Sequence, residues 1–364
     1  MNDDLVLEVR DLEVKFFQDV GTVHAVNDVG FRVREGQSVG IVGESGCGKT
    51  ISTYSVLRLL PNNAVITKGE VLYRREDGRV IDLTKGDADG ELIRSIRGKE
   101  VSMIFQEPMS ALSPVHTIYS QMSEALMLHT AATPEKARER AIEMLRLVGI
   151  SAPEQRIDEY IFQLSGGMRQ RVMIAMALMC NPRVLIADEP TTALDVTIQA
   201  QVLKLIKKMQ DEFGLALVLI THDLGVIAHM TEYVYVMYLG QIMEEGPVSE
   251  VLVEPKHPYT RDLLRSIPKI SSRNAPLAPI RGTVPDAYQV PKGCPYAPRC
   301  ANVIPNVCTE ARPRRLSVGD DHFARCFLYD EKRPTAPVGS EATSSSDETP
   351  DVSAANGSKK ERND

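Results

Sequence analysis

The chain has no hydrophobic run long enough to cross a bilayer, since its apolar stretches are as short as ALVLI at residues 216–220. Its 42 Lys and Arg residues against 49 Asp and Glu residues give a net charge of −7. They form no basic stripe of the kind that nucleic-acid-binding proteins use. The first residues, MNDDLVLEVR, lack the charged-then-apolar order of a signal peptide. We expect a soluble cytosolic protein that binds no nucleic acid and needs a partner for any work at a membrane.

Cysteine is also infrequent, with six residues in a chain of 364. In a reducing compartment these six are not a disulfide framework by default. Four of them fall after residue 290, with 5, 7 and 17 residues between them and no C-x-x-C pair, unlike the usual zinc-knuckle signature. A short, proline-rich segment has little core of its own, so we expect the four thiols to take part in some covalent or metal staple.

The hydrophobic pattern predicts an α/β fold. Short alternating strands are expected over residues 5–42, further strands over 65–83 with a turn at Asp77–Gly78, and a buried strand at 101–105. From Ser120 to Met179 the period is mostly helical, with Pro134 in the first turn of a helix. VLIADEP and LALVLITHD are apolar strands that end in polar residues, which is typical of a parallel sheet covered on both faces with ligands at its carboxyl edge.

Two stretches are suited to hold phosphate. GESGCGKT (43–50) has the spacing G-x-x-x-x-G-K-[ST] between an apolar strand and a helix, so its backbone N–H groups would wrap phosphate oxygens. In that motif Lys49 reaches the β- and γ-phosphates and Thr50 ligates Mg²⁺. LSGGMRQR (164–171) places a serine and two glycines at the start of a helix, where free N–H groups favour an anion, but it has no such lysine.

Polar residues at strand ends complete the pattern. Asp188 is placed to hold Mg²⁺ beside a glycine loop of this kind, and the next carboxylate, Glu189, can polarise an attacking water. Alone, these acids could simply end a strand and begin a turn at Pro190. His222 and Gln106 are also polar residues at strand ends, and individually each is as compatible with a structural role as with catalysis.

These features follow one another along the chain as GESGCGKT, Gln106, LSGGMRQR, VLIADEP, ALD (193–195) and His222. In this order they resemble the ATP-binding subunit of an ABC transporter over about residues 5–268. Three longer stretches are PTTALDVTIQAQVLKLI (190–206), LGVIAHMTEYVYVMYLGQIMEEGP (224–247) and HPYTRDLLRSIP (257–268). They resemble the branch of this family that imports oligopeptides, dipeptides and nickel. The resemblance implies a P-loop NTPase core of the ABC type, with a parallel sheet, an N-terminal antiparallel β subdomain and an α-helical subdomain. It also implies a small Cys-rich C-terminal extension.

The resemblance assigns roles at matching positions. Glu189 matches the general base, His222 the switch histidine and Gln106 the residue that reports nucleotide to the membrane subunits, while Thr50, Gln106 and Asp188 surround Mg²⁺. Phe16 matches the aromatic that stacks on adenine, with Phe17 as its rival. The implied ATP-binding residues are Phe16, Gly43, Glu44, Ser45, Gly46, Cys47, Gly48, Lys49, Thr50, Ser165, Gly166 and Gly167. In this family Ser165, Gly166 and Gly167 close over the ATP of a second subunit.

The branch carries a four-cysteine extension in which the thiolates hold a [4Fe–4S] cluster, and Cys294, Cys300, Cys308 and Cys326 are similar to it. Zinc, or free or disulfide-linked thiols, are the alternatives. Two features depart from the branch. The interval between Cys300 and Cys308 is one residue longer than expected, and Tyr160 is followed by Ile161-Phe162 where a Pro-His pair is common.

The resulting hypothesis is an ATPase that powers peptide uptake from the cytoplasmic face of the membrane. Its partners would be a similar ATPase subunit in a heterodimer, two permease subunits and an extracytoplasmic solute-binding protein. A nickel or small-solute importer and a soluble non-transport ABC ATPase are the alternatives. We expect an ATPase domain at 1–260 with a helical subdomain at about 107–180, an extension at 261–333 and a disordered tail at 334–364.

Overall fold

Two β-sheets and a set of helices position the polar residues at the strand ends. The computed structural model describes residues 1–2, 4–192, 194–267 and 279–334. Side chains 109 and 110 are not described. The strands are β1 (Leu5–Gln18), β2 (Gly21–Arg34), β3 (Ser38–Val42), β4 (Ala64–Arg74), β5 (Val80–Asp82), β6 (Val101–Ile104), β7 (Val184–Asp188), β8 (Ala216–Thr221), β9 (Tyr233–Tyr238), β10 (Gln241–Pro247), β11 (Leu316–Gly319) and β12 (His322–Ala324). The α-helices are α1 (Lys49–Val56), α2 (Glu91–Ile96), α3 (Pro108–Ala111), α4 (Ile118–His129), α5 (Pro134–Leu147), α6 (Pro153–Arg156), α7 (Gly166–Ala177), α8 (Val196–Phe213), α9 (Leu224–Met230), α10 (Val248–Val251) and α11 (Pro258–Arg265).

The N-terminal sheet is antiparallel, in the order β2-β1-β4-β5. Its first two strands have 14 residues each, although the alternation predicted shorter strands. The pairing shifts register between Val9 and Leu12, where Asp11 has a φ of 46° in the left-handed region. Such a bulge interrupts the alternation of side chains without ending the strand. The predicted turn at Asp77–Gly78 is present between β4 and β5, with Gly78 at a φ of 81°.

The central sheet has the order β11-β12-β10-β9-β3-β8-β7-β6. Its strands β9, β3, β8, β7 and β6 are parallel, and every residue in them is buried. Full burial of both faces is the expected property of a parallel sheet that helices cover. The predicted parallel sheet is therefore confirmed, and its carboxyl edge leads into Gly43, Gln106, Glu189 and His222.

A hydrophobic cluster lies under the helices α4 to α7, and buries Met122, Met144 and Ile174 among others. Pro134 is the first residue of α5, and the Thr133 side chain accepts a hydrogen bond from the Lys136 N–H, so the predicted helix start is confirmed. Within the ranges that the structure describes, no helix combines the length and apolarity that a bilayer crossing requires.

The segment after residue 279 also joins the core. β12 pairs antiparallel with β10 and with β11, and so lengthens the central sheet. These strands have only four and three residues, and the sequence pattern did not predict them. Of the expected tail at 334–364, all but the first residue lies outside the described residues.

Tyr235 links the two sheets. Its hydroxyl accepts the Arg32 N–H on β2 at 2.9 Å and donates to the Arg32 carbonyl at 3.1 Å. Tyr235→Phe leaves both partly buried backbone groups without this partner, so we expect the free energy of unfolding to fall by about 1–3 kcal/mol. Thermal unfolding followed by circular dichroism measures this loss of stability. Tyr119→Phe, which removes an exposed bond to the Pro134 carbonyl, is the control, and an equal loss in both variants would contradict this role of Tyr235.

Candidate active site

The glycine loop (residues 43–50) fits between β3, β9 and β2 only because two of its residues have no side chain. A Cβ on Gly43 would lie 2.1 Å from the Met237 carbonyl oxygen. A Cβ on Gly48 would lie 2.3 Å from the Ala25 carbonyl oxygen, and Gly48 has a φ of 99°. Both contacts are with backbone that cannot move aside, so glycine is required at both positions.

Lys49 begins α1 and is almost fully buried inside the loop. Its ammonium donates hydrogen bonds to the carbonyl oxygens of Gly43 at 2.8 Å and Glu44 at 3.1 Å. The charge is therefore held at the centre of a backbone loop whose Ser45 and Gly46 are exposed. This arrangement suits an anion that approaches from the exposed side.

Cys47 is buried in a hydrophobic cluster that also contains Val26 and Met237. Burial raises the pKa of its thiol to about 11. A thiol that stays protonated at neutral pH is a poor nucleophile, which agrees with the interpretation of Cys47 as a loop residue without a redox role.

Thr50 and Asp188 lie together beneath this loop. The Thr50 hydroxyl donates to Asp188 Oδ1 at 3.2 Å, whereas the buried Asp188 Oδ2 has no hydrogen-bond partner among the described residues. Burial raises the pKa of Asp188 to about 6, against the hydrogen bond from Thr50, and the nearby Glu189 charge adds to the rise. A hydroxyl oxygen beside an unpaired carboxylate oxygen fits Mg²⁺, which prefers such oxygen ligands.

Three side chains converge on Glu189, the residue after β7. The Thr192 hydroxyl donates to Glu189 Oε2 at 2.7 Å, Gln106 Nε2 lies 3.4 Å from the same oxygen, and His222 Nδ1 lies 3.4 Å from Oε1. Glu189 has a φ of 44°, a conformation that L-residues rarely adopt and that often marks functional positions. The structure thus brings Gln106, Glu189 and His222 together, as expected from the sequence.

Thr192 was not predicted as a site residue. Its only signal in the sequence is a hydroxyl three residues after Glu189 in the turn that follows β7. Gln106 was expected near Mg²⁺ as well, but its described hydrogen bond is to Glu189, not to Thr50 or Asp188.

The second predicted phosphate-binding stretch forms the start of α7. Ser165 is the N-cap, and its hydroxyl accepts the Met168 N–H at 3.4 Å. A side chain at Gly166 would meet nothing within 4 Å, so packing within the chain does not require glycine there. Among the described residues, no hydrogen bond joins residues 165–167 to residues 43–50.

Phe16 lies half-buried on β1, opposite Val23 of β2 and Ala64 of β4. Its neighbour Phe17 is 52% exposed. Close by, the Tyr288 hydroxyl lies 2.5 Å from Gln18 Oε1, which adds a third aromatic residue that the sequence did not indicate.

All four C-terminal cysteines line one small pocket beside His257. The Cys294 N–H donates to the Cys308 carbonyl at 2.8 Å, and burial raises the pKa of the Cys294 thiol to about 12 and of the Cys326 thiol to about 11. All six cysteines are free thiols, so the disulfide alternative is not seen. In the described part of the chain, no group of three or more His, Cys, Asp or Glu side chains has a metal-holding arrangement. Four thiols at one pocket nevertheless fit the donor chemistry of a thiolate-bound metal.

Family comparisons agree with this geometry. Residues 26–192 match the family described as ABC transporter. Residues 243–308 match the family described as oligopeptide/dipeptide transporter, C-terminal region.

Individual relatives cover nearly the whole chain. The dipeptide transport ATP-binding protein DppD of Bacillus subtilis (strain 168) is 45% identical over 93% of this chain and 98% of its own length. The oligopeptide transport ATP-binding protein AppD of the same organism is 46% identical over 90% of this chain and 98% of its own length. The probable peptide ABC transporter ATP-binding protein y4tR of Sinorhizobium fredii is 46% identical over 90% of this chain and 96% of its own.

The fold is also similar to solved structures. The ATP-binding cassette MJ0796, in a dimeric post-hydrolysis state bound to ADP and Pi, superposes with a TM-score of 0.58 at 28% identity. The match covers 66% of this chain and 98% of that one.

Asp188 makes stability depend on pH. Its pKa rises from 3.8 to about 6 on folding, so below pH 3.8 both states are protonated and no stability is lost. Stability then falls as the pH rises through 6. We expect Asp188→Asn to raise the free energy of unfolding at pH 7 by roughly 1–3 kcal/mol, and to change it little near pH 4.

Urea unfolding of the nucleotide-free protein at the two pH values measures this effect. Asp211→Asn, at an exposed position of α8, is the control. Equal stability changes at pH 4 and pH 7 would contradict the elevated pKa of Asp188.

Proposed function

Because the chain belongs to the ABC transporter family, as an ATP-binding subunit of its peptide importers, we propose that it drives peptide uptake by hydrolysing ATP at the strand ends described above. The observation that carries this mechanism is the convergence of Gln106, Thr192 and His222 on Glu189, one residue from the Asp188–Thr50 pair. A phosphate-binding loop, a metal-ligand pair and a positioned carboxylate are the parts that phosphoryl transfer to water requires.

Each residue has a separate task. The Lys49 ammonium and the loop N–H groups bind the phosphates, and Thr50 and Asp188 would hold Mg²⁺, which neutralises phosphate charge when bound. Glu189 orients the attacking water and accepts its proton, while Thr192 and Gln106 fix the direction of its carboxylate. His222, whose side chain is 63% exposed, can contact the γ-phosphate from the open side.

The complete site forms between two subunits in this proposal. Ser165, Gly166 and Gly167 would close over the ATP that a partner's glycine loop holds, and Phe16 would stack on the adenine. The open space at Gly166 and the exposed helix start support an approach from outside the chain. Hydrolysis then requires the two subunits to close on each other, because the donors that stabilise the transition state come from the other subunit.

The assembly would lie at the cytoplasmic face of the membrane. Its other members would be a similar, non-identical ATPase subunit, two permease subunits and an extracytoplasmic solute-binding protein. In this proposal the ATPase domain comprises residues 1–260, with a helical subdomain at about 107–180, and residues 261–333 are the extension.

We also propose that Cys294, Cys300, Cys308 and Cys326 hold a [4Fe–4S] cluster. Their common pocket and thiol chemistry support it, while zinc is the alternative for the same four donors. The thiol pKa values of about 12 at Cys294 and 11 at Cys326 mean that binding must displace protons from buried sulfur atoms.

Glu189→Gln tests the catalytic role. The amide cannot accept the water proton, so we expect hydrolysis to fall by about 10²–10⁴-fold, while ATP binding persists because the loop and Lys49 are intact. The variant should accumulate as a closed dimer with ATP in gel filtration, and steady-state ATPase assays of the assembled transporter give the rate. Glu212→Gln, at an exposed position of α8, is the matched control. Rapid turnover by Glu189→Gln would exclude Glu189 as the base.

Anaerobic purification tests the metal. We expect visible absorbance with iron and sulfide in the protein, and loss of both in Cys300→Ser because a cluster needs all four thiolates. Cys180→Ser should keep them, since Cys180 lies in the helical region, 3.6 Å from the Ala125 carbonyl oxygen. Zinc alone in the wild-type preparation would refute the cluster.

A further inference from the structure

The C-terminal segment (residues 279–334) contacts the glycine loop directly, through an ion pair between Arg299 and Glu44. Arg299 Nη1 lies 2.7 Å from Glu44 Oε2, and Nη2 lies 3.1 Å from Oε1. The Arg299 side chain is 4% exposed and that of Glu44 is 25% exposed. A bidentate pair of this kind, mostly removed from water, fixes both orientation and charge.

Arg299 is itself held from two further directions. Its Nε donates to the Arg281 carbonyl at 2.9 Å, and Nη1 lies 3.3 Å from the Tyr238 hydroxyl. The guanidinium carbon also lies over the rings of Tyr238 and Tyr296, at 5.7 and 5.8 Å from their centroids. Because so many groups hold the guanidinium, it presents its fork to Glu44 in one orientation.

Tyr259 of α11 holds the backbone of the same loop position. The Glu44 N–H donates to the Tyr259 hydroxyl at 3.0 Å, and Tyr259 packs against Tyr238 with ring centroids 4.7 Å apart. On its other side, the Glu44 carbonyl accepts from Lys49 at 3.1 Å. Glu44 is therefore the position where the phosphate-binding lysine and the C-terminal segment meet.

We propose that Arg299 is a positioning residue for ATP, which acts on the phosphate-binding loop through Glu44. This inference rests on the proposed function of the loop. Arg299 neutralises a carboxylate that stands one residue after Gly43, and it keeps the loop carbonyls oriented toward Lys49. Without it, an uncompensated negative charge in a partly buried loop repels the phosphates, since screening by water and salt is weak there.

The test is a double-mutant cycle on the full chain, with ATP binding measured by isothermal titration calorimetry. Arg299→Ala is expected to weaken ATP binding by about 10-fold, within the range typical of coupled sites. Glu44→Gln is the second single variant of the cycle, and its own affinity is the reference with which the double variant is compared. Adding Glu44→Gln to Arg299→Ala restores most of the affinity, since the unpaired charge is gone.

Arg325→Ala is the matched control. Arg325 also joins the C-terminal segment to the N-terminal sheet, through an ion pair of 2.8 Å with Asp28, but it does not contact the glycine loop. We expect its ATP affinity to stay within about 2-fold of the wild type, as for a pair remote from the ligand. If Arg299→Ala misfolds in a thermal melt, Arg299→Lys replaces it, with a smaller loss because the charge remains without the fork.

The outcomes separate the inference from the proposed function. Unchanged affinity in Arg299→Ala, or a loss that Glu44→Gln does not restore, overturns the positioning role while ATP binding by the wild type stands. Lys49→Ala, which removes the phosphate-binding ammonium, should abolish that binding. A wild-type chain that does not bind ATP overturns the proposed function and this inference together.

Discussion

The register of the parallel strands is the constraint on which the site depends. Val42 of β3 pairs with Thr221 of β8, Asp188 of β7 pairs with Ile220, and Ile104 of β6 pairs with Ala187. The strands therefore end nearly level, and the residues that follow each strand meet at one edge. A shift of one residue in any pair would turn buried side chains to the opposite face and separate the polar groups.

Burial then gives these polar groups their chemical properties. Asp188 is fully buried, and one of its oxygens has no hydrogen-bond partner in the described part of the chain. Its pKa of about 6 reflects the cost of holding a charge there. Glu189, the next residue, keeps three polar contacts and a left-handed backbone. Two adjacent carboxylates thus have different environments, which suits them to the separate metal-ligand and base roles proposed above.

The sequence predicted most of this site because its motifs are local. A glycine loop between a strand and a helix, a Ser165 N-cap and an acidic strand end each depend on a few neighbouring residues, and each is found where expected. Thr192 was not predicted, since a threonine in a turn has no distinctive sequence pattern. The full length of β1 and β2 was not predicted either, because the bulge at Asp11 breaks the alternation of side chains on which the strand prediction relied.

By itself, the sequence determined which residues are candidates for the chemistry, since residue type and short spacing are what phosphate and metal binding require. Only the tertiary structure decided which distant residues meet. Arg299 lies 255 positions from Glu44 along the chain, and β12 pairs with β10 across an interval without any repeating pattern. Such contacts depend on how packed elements bring separated segments together, and no local pattern of hydrophobicity or charge encodes that distance.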